Sequence, residues 1–216
     1  MLVIPLLAIA LVLIMNVIPW YTNKQRRRKE TSSRMWMRTL VFVALIAIVW
    51  WALFMPWINK DWVSDVEVVN SEGTAGTAYI AYYPGRSTFA KDVADAFVTG
   101  LVDNGWRCEI TTASSQAPTN LDRYDLVALV SPTYMLQPAG RVTRYVGKLD
   151  LGGKDVVIIS SGLFSTKQAA TSLAERVRAA GGNPIQTVEV KTGAGMAGMV
   201  NPRDVAREAG AAVPLP

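Results

Sequence analysis

The stretch Tyr83-Pro84-Gly85-Arg86-Ser87-Thr88-Phe89 concentrates residue types that can hold an anion. Two hydroxyls, a glycine and the N–H groups of a following helix can surround a phosphate, because the first N–H groups of a helix lack intrahelical partners and the helix dipole favours negative charge there. Arg86 adds a mobile positive charge. The same residues admit a plainer use, since Ser87 or Thr88 could simply cap the helix. Composition limits the rest of the chemistry. The 216 residues include no histidine and one cysteine, Cys108. That excludes Ser-His-Asp and Cys-His nucleophile systems, the usual zinc sites, an intrachain disulfide and an iron–sulfur cluster. Redox chemistry in this chain must therefore come from a bound organic cofactor.

The elements that position the loop are legible from periodicity. Apolar strand-like runs at 78–82, 107–111, 126–130, 155–160 and 185–189 alternate with helical patterns, which predicts an α/β domain with a parallel sheet covered on both faces. Phe89, Val93, Phe97 and Leu101 recur every fourth residue on one side of a helix that stops at Asn104-Gly105. A second helix, 139–148, presents Val142, Tyr145, Val146 and Leu149. A third starts after Ser165 or Thr166 as N-cap and buries Ala169, Leu173, Val177 and Ala180. Residues 193–199 read as a flexible glycine-rich connection with no phosphate-loop lysine, and Asn201-Pro202 opens a last short helix. Five strands in about 140 residues suit a doubly wound sheet of order 2-1-3-4-5, whose ligands bind at the carboxyl ends of the strands. The loops after Tyr83, Val130 and Ser160 are therefore the ones to inspect.

One of those loops, the one after Val130, sits in a longer string. Tyr124-Asp-Leu-Val-Ala-Leu-Val-Ser-Pro-Thr-Tyr134, followed by Pro138 and by Leu149-Asp-Leu-Gly-Gly-Lys154, resembles the flavodoxin family over about residues 77–190. The resemblance implies a flavodoxin-like fold and FMN as cofactor. It implies that the loop of Gly85, Arg86, Ser87 and Thr88 binds the FMN phosphate, with the two hydroxyls in contact. The loop of Ser131, Pro132, Thr133 and Tyr134 would enclose the flavin ring, Thr133 and Tyr134 lying beside it, and Ser161, Gly162 and Leu163 would form a third wall. A tyrosine can stack on such a ring.

The charge is local. Of 22 Lys and Arg against 17 Asp and Glu, seven basic residues and one acid fall within 21–38, which leaves 15 basic and 16 acidic residues elsewhere. A nucleic-acid face would be carried on the folded domain. This cluster instead lies between two uncharged runs, 2–20 and 39–58, each about the length that crosses a hydrocarbon core of about 30 Å. Both read as transmembrane helices, with tryptophans toward their ends as expected of interfacial rings. A cleaved signal peptide would need its positive charges before the first run, and a buried soluble hairpin would have to hide both runs. The positive-inside rule places the 21–38 loop in the cytoplasm and both chain ends on the far side of what reads as a prokaryotic cell membrane. The cluster is a topological anchor, or it also attracts anionic lipid or a partner.

The expected organisation is thus two membrane helices over 1–58, a linker over 59–76 and a flavodoxin-like domain over 77–216. The leading functional expectation is a membrane-anchored FMN electron carrier working with a membrane complex or redox partner. A cofactor-free domain serving as an accessory subunit is the alternative, and a flavin-dependent quinone reductase is a further possibility.

Overall fold

The computed structural model describes residues 32–85, 87–163, 165–191 and 200–216. The apolar run 2–20, the basic loop up to residue 31, Arg86 and the stretch 192–199 lie outside them. The chain divides into two compact units, Met1–Trp57 and Ile58–Pro216.

In the first unit, α1 (Ser32–Ile58) is 27 residues long and carries the uncharged run 39–58. Leu40, Val41, Leu45, Ile48, Val49 and Leu53 are all exposed. Among the described residues no helix is long and apolar enough to cross a membrane.

The second unit runs β1 (Glu67–Val69), β2 (Thr77–Tyr82), α2 (Phe89–Asp103), β3 (Arg107–Thr112), β4 (Leu126–Tyr134), β5 (Gln137–Pro138), α3 (Gly140–Val146), β6 (Asp155–Gly162), α4 (Lys167–Ala179), β7 (Asn183–Lys191) and α5 (Pro202–Ala211). The sheet order is β1-β3-β2-β4-β6-β7, with β5 paired to β4. Neighbours from β3 to β7 are parallel, and these five strands alone run in the order 2-1-3-4-5. The architecture is α/β with a mostly parallel sheet. Among the described residues seven strands stand where the sequence suggested five. The additional ones are β1, antiparallel on the outer side of β3, and β5, which folds back on β4. β1 belongs to the stretch read as a linker: Glu67, Val68 and Val69 pair with Ile110, Glu109 and Cys108. A three-residue strand is too short to show a period, so only its partner reveals it.

Strand alternation splits the core in two. Ala78 and Ile80 of β2 face one side with Ala128 and Val130 of β4, beneath Val93, Phe97 and Leu101 of α2 and Ala206 and Ala209 of α5. Tyr79 and Ala81 face the other with Val127 and Leu129, beneath Val142 and Tyr145 of α3 and Leu173 and Val177 of α4. Helices α2 and α5 approach so closely that a Cβ on Gly100 would strike the Arg207 carbonyl, and one on Gly210 the Phe97 carbonyl. Two residues of the string that resembles flavodoxins clasp the amino ends of the strands. The Asp125 carboxylate accepts the Thr77 N–H at 2.8 Å. Lys154 Nζ donates to the carbonyls of Asp122 and Tyr124 at 3.1 and 2.9 Å.

Candidate functional site

Chain direction reverses between β2 and β4: the connection from β2 leads outward to β3 on one side, while β4, β6 and β7 continue on the other. The carboxyl ends of β2 and β4 therefore flank the crevice where doubly wound sheets hold ligands.

On the β2 side, Tyr83 is buried and its N–H donates to the Val130 carbonyl at 3.1 Å, locking the loop to β4. Pro84 supplies no N–H. Gly85 has φ +64, and a Cβ there would strike the Tyr134 hydroxyl and come within 3.4 Å of Pro132. A side chain is thus disfavoured twice at this position, by backbone conformation and by the tyrosine. Thr88 occupies the N-cap of α2 with helical φ and ψ, and its side chain makes no capping bond. Its hydroxyl reaches only Asp92 at 3.5 Å, and Ser87 Oγ accepts the Phe89 N–H at a long 3.4 Å. Both hydroxyls are exposed. Of the two uses the sequence left open, capping by Thr88 does not occur. Asp92, the acid in the first turn of α2, is paired with Arg203 at 2.9 Å, which offsets its negative charge.

The β4 side departs from expectation. The segment 131–138, read as an open loop, continues as strand to Tyr134 and turns back through β5, with Thr133 opposite Pro138 and Tyr134 opposite Gln137. Met135 and Leu136 form the turn with φ 49 and 65. Positive φ at both central positions is the geometry Asn-Gly adopts readily, so Met-Leu carried no sequence signal for it. Within this hairpin the hydroxyls are committed to structure. Ser131 is buried, accepts the Ala139 N–H at 3.0 Å and donates to the Pro132 carbonyl at 3.2 Å. Thr133 Oγ1 is 3.1 Å from Ser160 Oγ. Ser131 therefore fastens the hairpin, and Thr133 meets Ser160 of β6. Tyr134 is half-buried with its hydroxyl over Gly85, so it does reach the crevice.

In the third loop Ser161 is buried, and Gly162 lies under Thr166 and Thr133, whose atoms would be 3.0 and 3.2 Å from a Cβ. Leu163 is 65% exposed. Thr166 holds the expected N-cap position of α4 but makes no capping bond, because its hydroxyl donates to Glu189 at 2.8 Å. The structure thus brings together Gly85, Pro132 and Tyr134, and joins Thr133 to Gly162. It leaves Ser87, Thr88 and Leu163 exposed around them.

The sequence did not single out Ser114. It follows β3 at the same edge, and its buried hydroxyl has no hydrogen-bond partner among the described residues. A lone serine in a polar run, Ser114-Ser115-Gln116, shows nothing of this beforehand. Away from the edge, a groove of about 350 Å³ between α2 and α5 is lined by Asp92, Asp95, Arg203, Asp204 and Arg207. Three of these are engaged with Arg203 or with residues outside the lining: Asp92 with Arg203, Asp95 with Lys91 and Arg207 with Asp103. Among the described residues no acidic or sulfur cluster could hold a metal ion.

Solved structures resemble this domain closely enough to classify its fold. The two-electron reduced flavodoxin of Megasphaera elsdenii superposes with a TM-score of 0.53 at 18% identity, covering 63% of this chain and 99% of that one. Flavodoxin 2 of Bacillus cereus gives 0.51 at 18% identity, covering 62% and 94%. The domain has the flavodoxin-like fold. The same fold recurs inside a larger protein, the Flv1 flavodiiron core of Synechocystis, with a TM-score of 0.52 at 15% identity over 66% of this chain and 36% of that one. At these identities the likeness concerns the fold alone. No family model matches the sequence, and no curated protein is similar to it.

Proposed function

We propose that the domain binds FMN in the crevice between the ends of β2 and β4 and serves as a membrane-anchored electron carrier. The observation that carries the reading is the N-terminus of α2. It opens beside the crevice without a side-chain cap, with the Ser87 and Thr88 hydroxyls exposed and only weakly engaged. Such a terminus fits a phosphate, which accepts from unpaired N–H groups and is stabilised by the helix dipole. Ser87 and Thr88 would hold the phosphate, and Tyr134 and Leu163 would lie against the ring. Bound FMN supplies reversible electron transfer, and the protein supplies binding, orientation and exclusion of water. Nothing in that role calls for histidine.

Anchoring is supported by the uncharged runs 2–20 and 39–58 on either side of a basic cluster, and by the apolar surface of α1. A helix that is apolar all round needs lipid or protein around it. The positive-inside rule then puts the 21–38 loop in the cytoplasm and the domain outside it.

The test is direct. Full-length protein purified in mild detergent should carry the visible absorbance of flavin, or take it up on titration. Free FMN at a hundredfold excess over Kd stabilises a native site by about 2.7 kcal/mol. Ser87→Asp should weaken binding by charge repulsion with the fold intact. No flavin in the purified protein and no shift in Tm with added FMN would refute the reading and leave a cofactor-free docking role. For sidedness, Glu72→Cys probed with an impermeant maleimide should label on intact cells.

A further inference from the structure

A short run of chain that precedes the sheet ties the supports of the two crevice walls together. The Asn59 carbonyl accepts from Arg141 Nε at 2.8 Å, and its side-chain oxygen accepts from Arg144 at 3.2 Å. Asn59 sits so close to the start of α3 that a Cβ on Gly140 would lie 2.8 Å from its Oδ1. The Lys60 carbonyl accepts from the Tyr83 hydroxyl at 3.0 Å. Asp61 accepts the Ser115 N–H at 3.2 Å and pairs with Arg141 at 3.3 Å. Three consecutive residues thus connect the segments that follow β2 and β3 with the start of α3. All of these residues belong to the unit Ile58–Pro216.

Followed residue by residue, the contacts close a ring. Tyr83 leads through Pro84 to Gly85, over which the Tyr134 hydroxyl lies. Tyr134 belongs to the hairpin and stands opposite Gln137 of β5. The hairpin ends at Ala139, whose N–H donates to the Pro132 carbonyl and to the Ser131 hydroxyl, both at 3.0 Å. Ala139 leads into Gly140 and Arg141, Arg141 holds Asn59 and Asp61, and Lys60 between them returns to Tyr83. Both crevice walls, the Gly85 side and the Tyr134 side, are arcs of this ring. The Arg141–Asp61 pair is partly buried, and bonds in which donor and acceptor are both charged are the stronger kind.

We infer that residues 59–61 brace the crevice, with Asp61, Tyr83 and Arg141 as positioning residues that fix the spacing of its two walls. The inference rests on the FMN reading above. A phosphate at the start of α2 and a ring against Tyr134 are parts of one rigid ligand, so the walls that meet them must keep one separation. Walls already held at that separation spare the ligand the cost of ordering them. Asp61, Tyr83 and Arg141 act through the backbone they hold, and the stretch that reads as a linker in the sequence supplies the brace.

The test is titration of full-length protein in mild detergent with FMN. Tyr83→Phe deletes the bond to Lys60 and keeps the ring, and Asp61→Ala deletes the bonds to Ser115 and Arg141. Asp125→Ala is the control for a general loss of stability, because its bond to Thr77 lies at the amino ends of the strands. Each of the first two should raise the Kd for FMN by about tenfold, as the loss of one hydrogen bond can. The double variant should bind no worse than the weaker single, since a ring opened once is already open. Asp125→Ala should leave Kd unchanged. FMN should also slow hydrogen exchange at the Ser115 amide in the parent and not in Tyr83→Phe, because cofactor and brace favour the same closed ring. A parent that binds FMN while both single variants bind equally well, or while their losses add in the double variant, would overturn the brace and leave the cofactor reading standing. An equal rise in Kd for Asp125→Ala, or a Ser115 amide indifferent to FMN, would overturn the brace as well. A parent that takes up no FMN would overturn the cofactor reading and the brace with it.

Discussion

Replacing Gly100 by alanine should cost the domain stability although it improves the helix. The new Cβ would fall on the Arg207 carbonyl and lie 2.8 Å from the Ala211 nitrogen, where apolar carbon needs about 3.5 Å. Both obstacles are backbone, so α2 and α5 must part by roughly 1 Å, which forfeits a quarter to a half of the dispersion energy across the contact. Phe97 and Leu101 on α2, and Ala206 and Ala209 on α5, are the buried side chains affected. Overpacking of this kind costs about 1–3 kcal/mol, and backbone obstacles place it near ~3 kcal/mol. Alanine returns up to ~1 kcal/mol in helix propensity, for a net loss of ~2 kcal/mol. The unit Ile58–Pro216 has 159 residues, and at about 2.1 cal/mol/K per residue its unfolding entropy is ~0.33 kcal/mol/K. Tm should fall by ~6 °C in calorimetry of the detergent-solubilised protein. Gly147→Ala is the control: its φ is −66 and the nearest obstacle is 3.6 Å away, so it should hold or raise Tm. A Gly100→Ala protein within about 2 °C of the parent would refute the close crossing.

Two further perturbations address the carboxyl edge. Changing Met135-Leu136 to Asn-Gly replaces two residues for which left-handed backbone costs about 1–2 kcal/mol each by two that tolerate it, so Tm should rise by roughly 6 °C, and an unchanged Tm would show the turn to be unstrained. The bond from Ser115 is the main cause holding the Asp61 carboxyl below its ordinary value of 3.8. A carboxyl lowered by folding contributes stability above its unfolded pKa and loses it as pH falls through the folded one. Hydrogen exchange at the Ser115 amide should therefore quicken, relative to central sheet amides, below about pH 3.8, and Asp61→Asn should abolish that pH dependence.

Most of the scaffold was legible because its signals are local. The Phe89, Val93, Phe97, Leu101 stripe follows the helical period, and all but the partly buried Phe89 are fully buried. Asn201 caps α5 by accepting the Arg203 N–H, with Pro202 at the first position as expected. The central strands, covered on both faces, read as continuous apolar runs. What escaped the sequence depends on partners that periodicity does not reveal. Glu109 is a buried carboxylate in mid-strand, held by Arg107 and Arg123 at 3.3 and 2.5 Å and by the Tyr124 hydroxyl at 2.7 Å. No one-dimensional pattern announces those partners. At the site, residue types pointed to the right edge of the sheet but not to the duty of each hydroxyl. Ser87 and Ser131 look alike in sequence, yet one is exposed and weakly engaged while the other is spent on the Ala139 N–H. The meeting of Gly85 with Tyr134 follows only once β2 and β4 are neighbours.

The fastening of residues 59–64 to the domain has a consequence for the order in which the protein is made. The partners of these residues are synthesised after them: Tyr83 lies 23 residues downstream of Lys60, Ser115 lies 54 beyond Asp61, and Arg141 and Arg144 lie 82 and 85 beyond Asn59. Contacts of such separation require loop closure before they stabilise anything. Residues 59–64 must therefore stay extended until β3 and α3 exist. That interval leaves residues 59–64 unfastened while the nascent domain folds, and they are fixed only when the last of those elements docks.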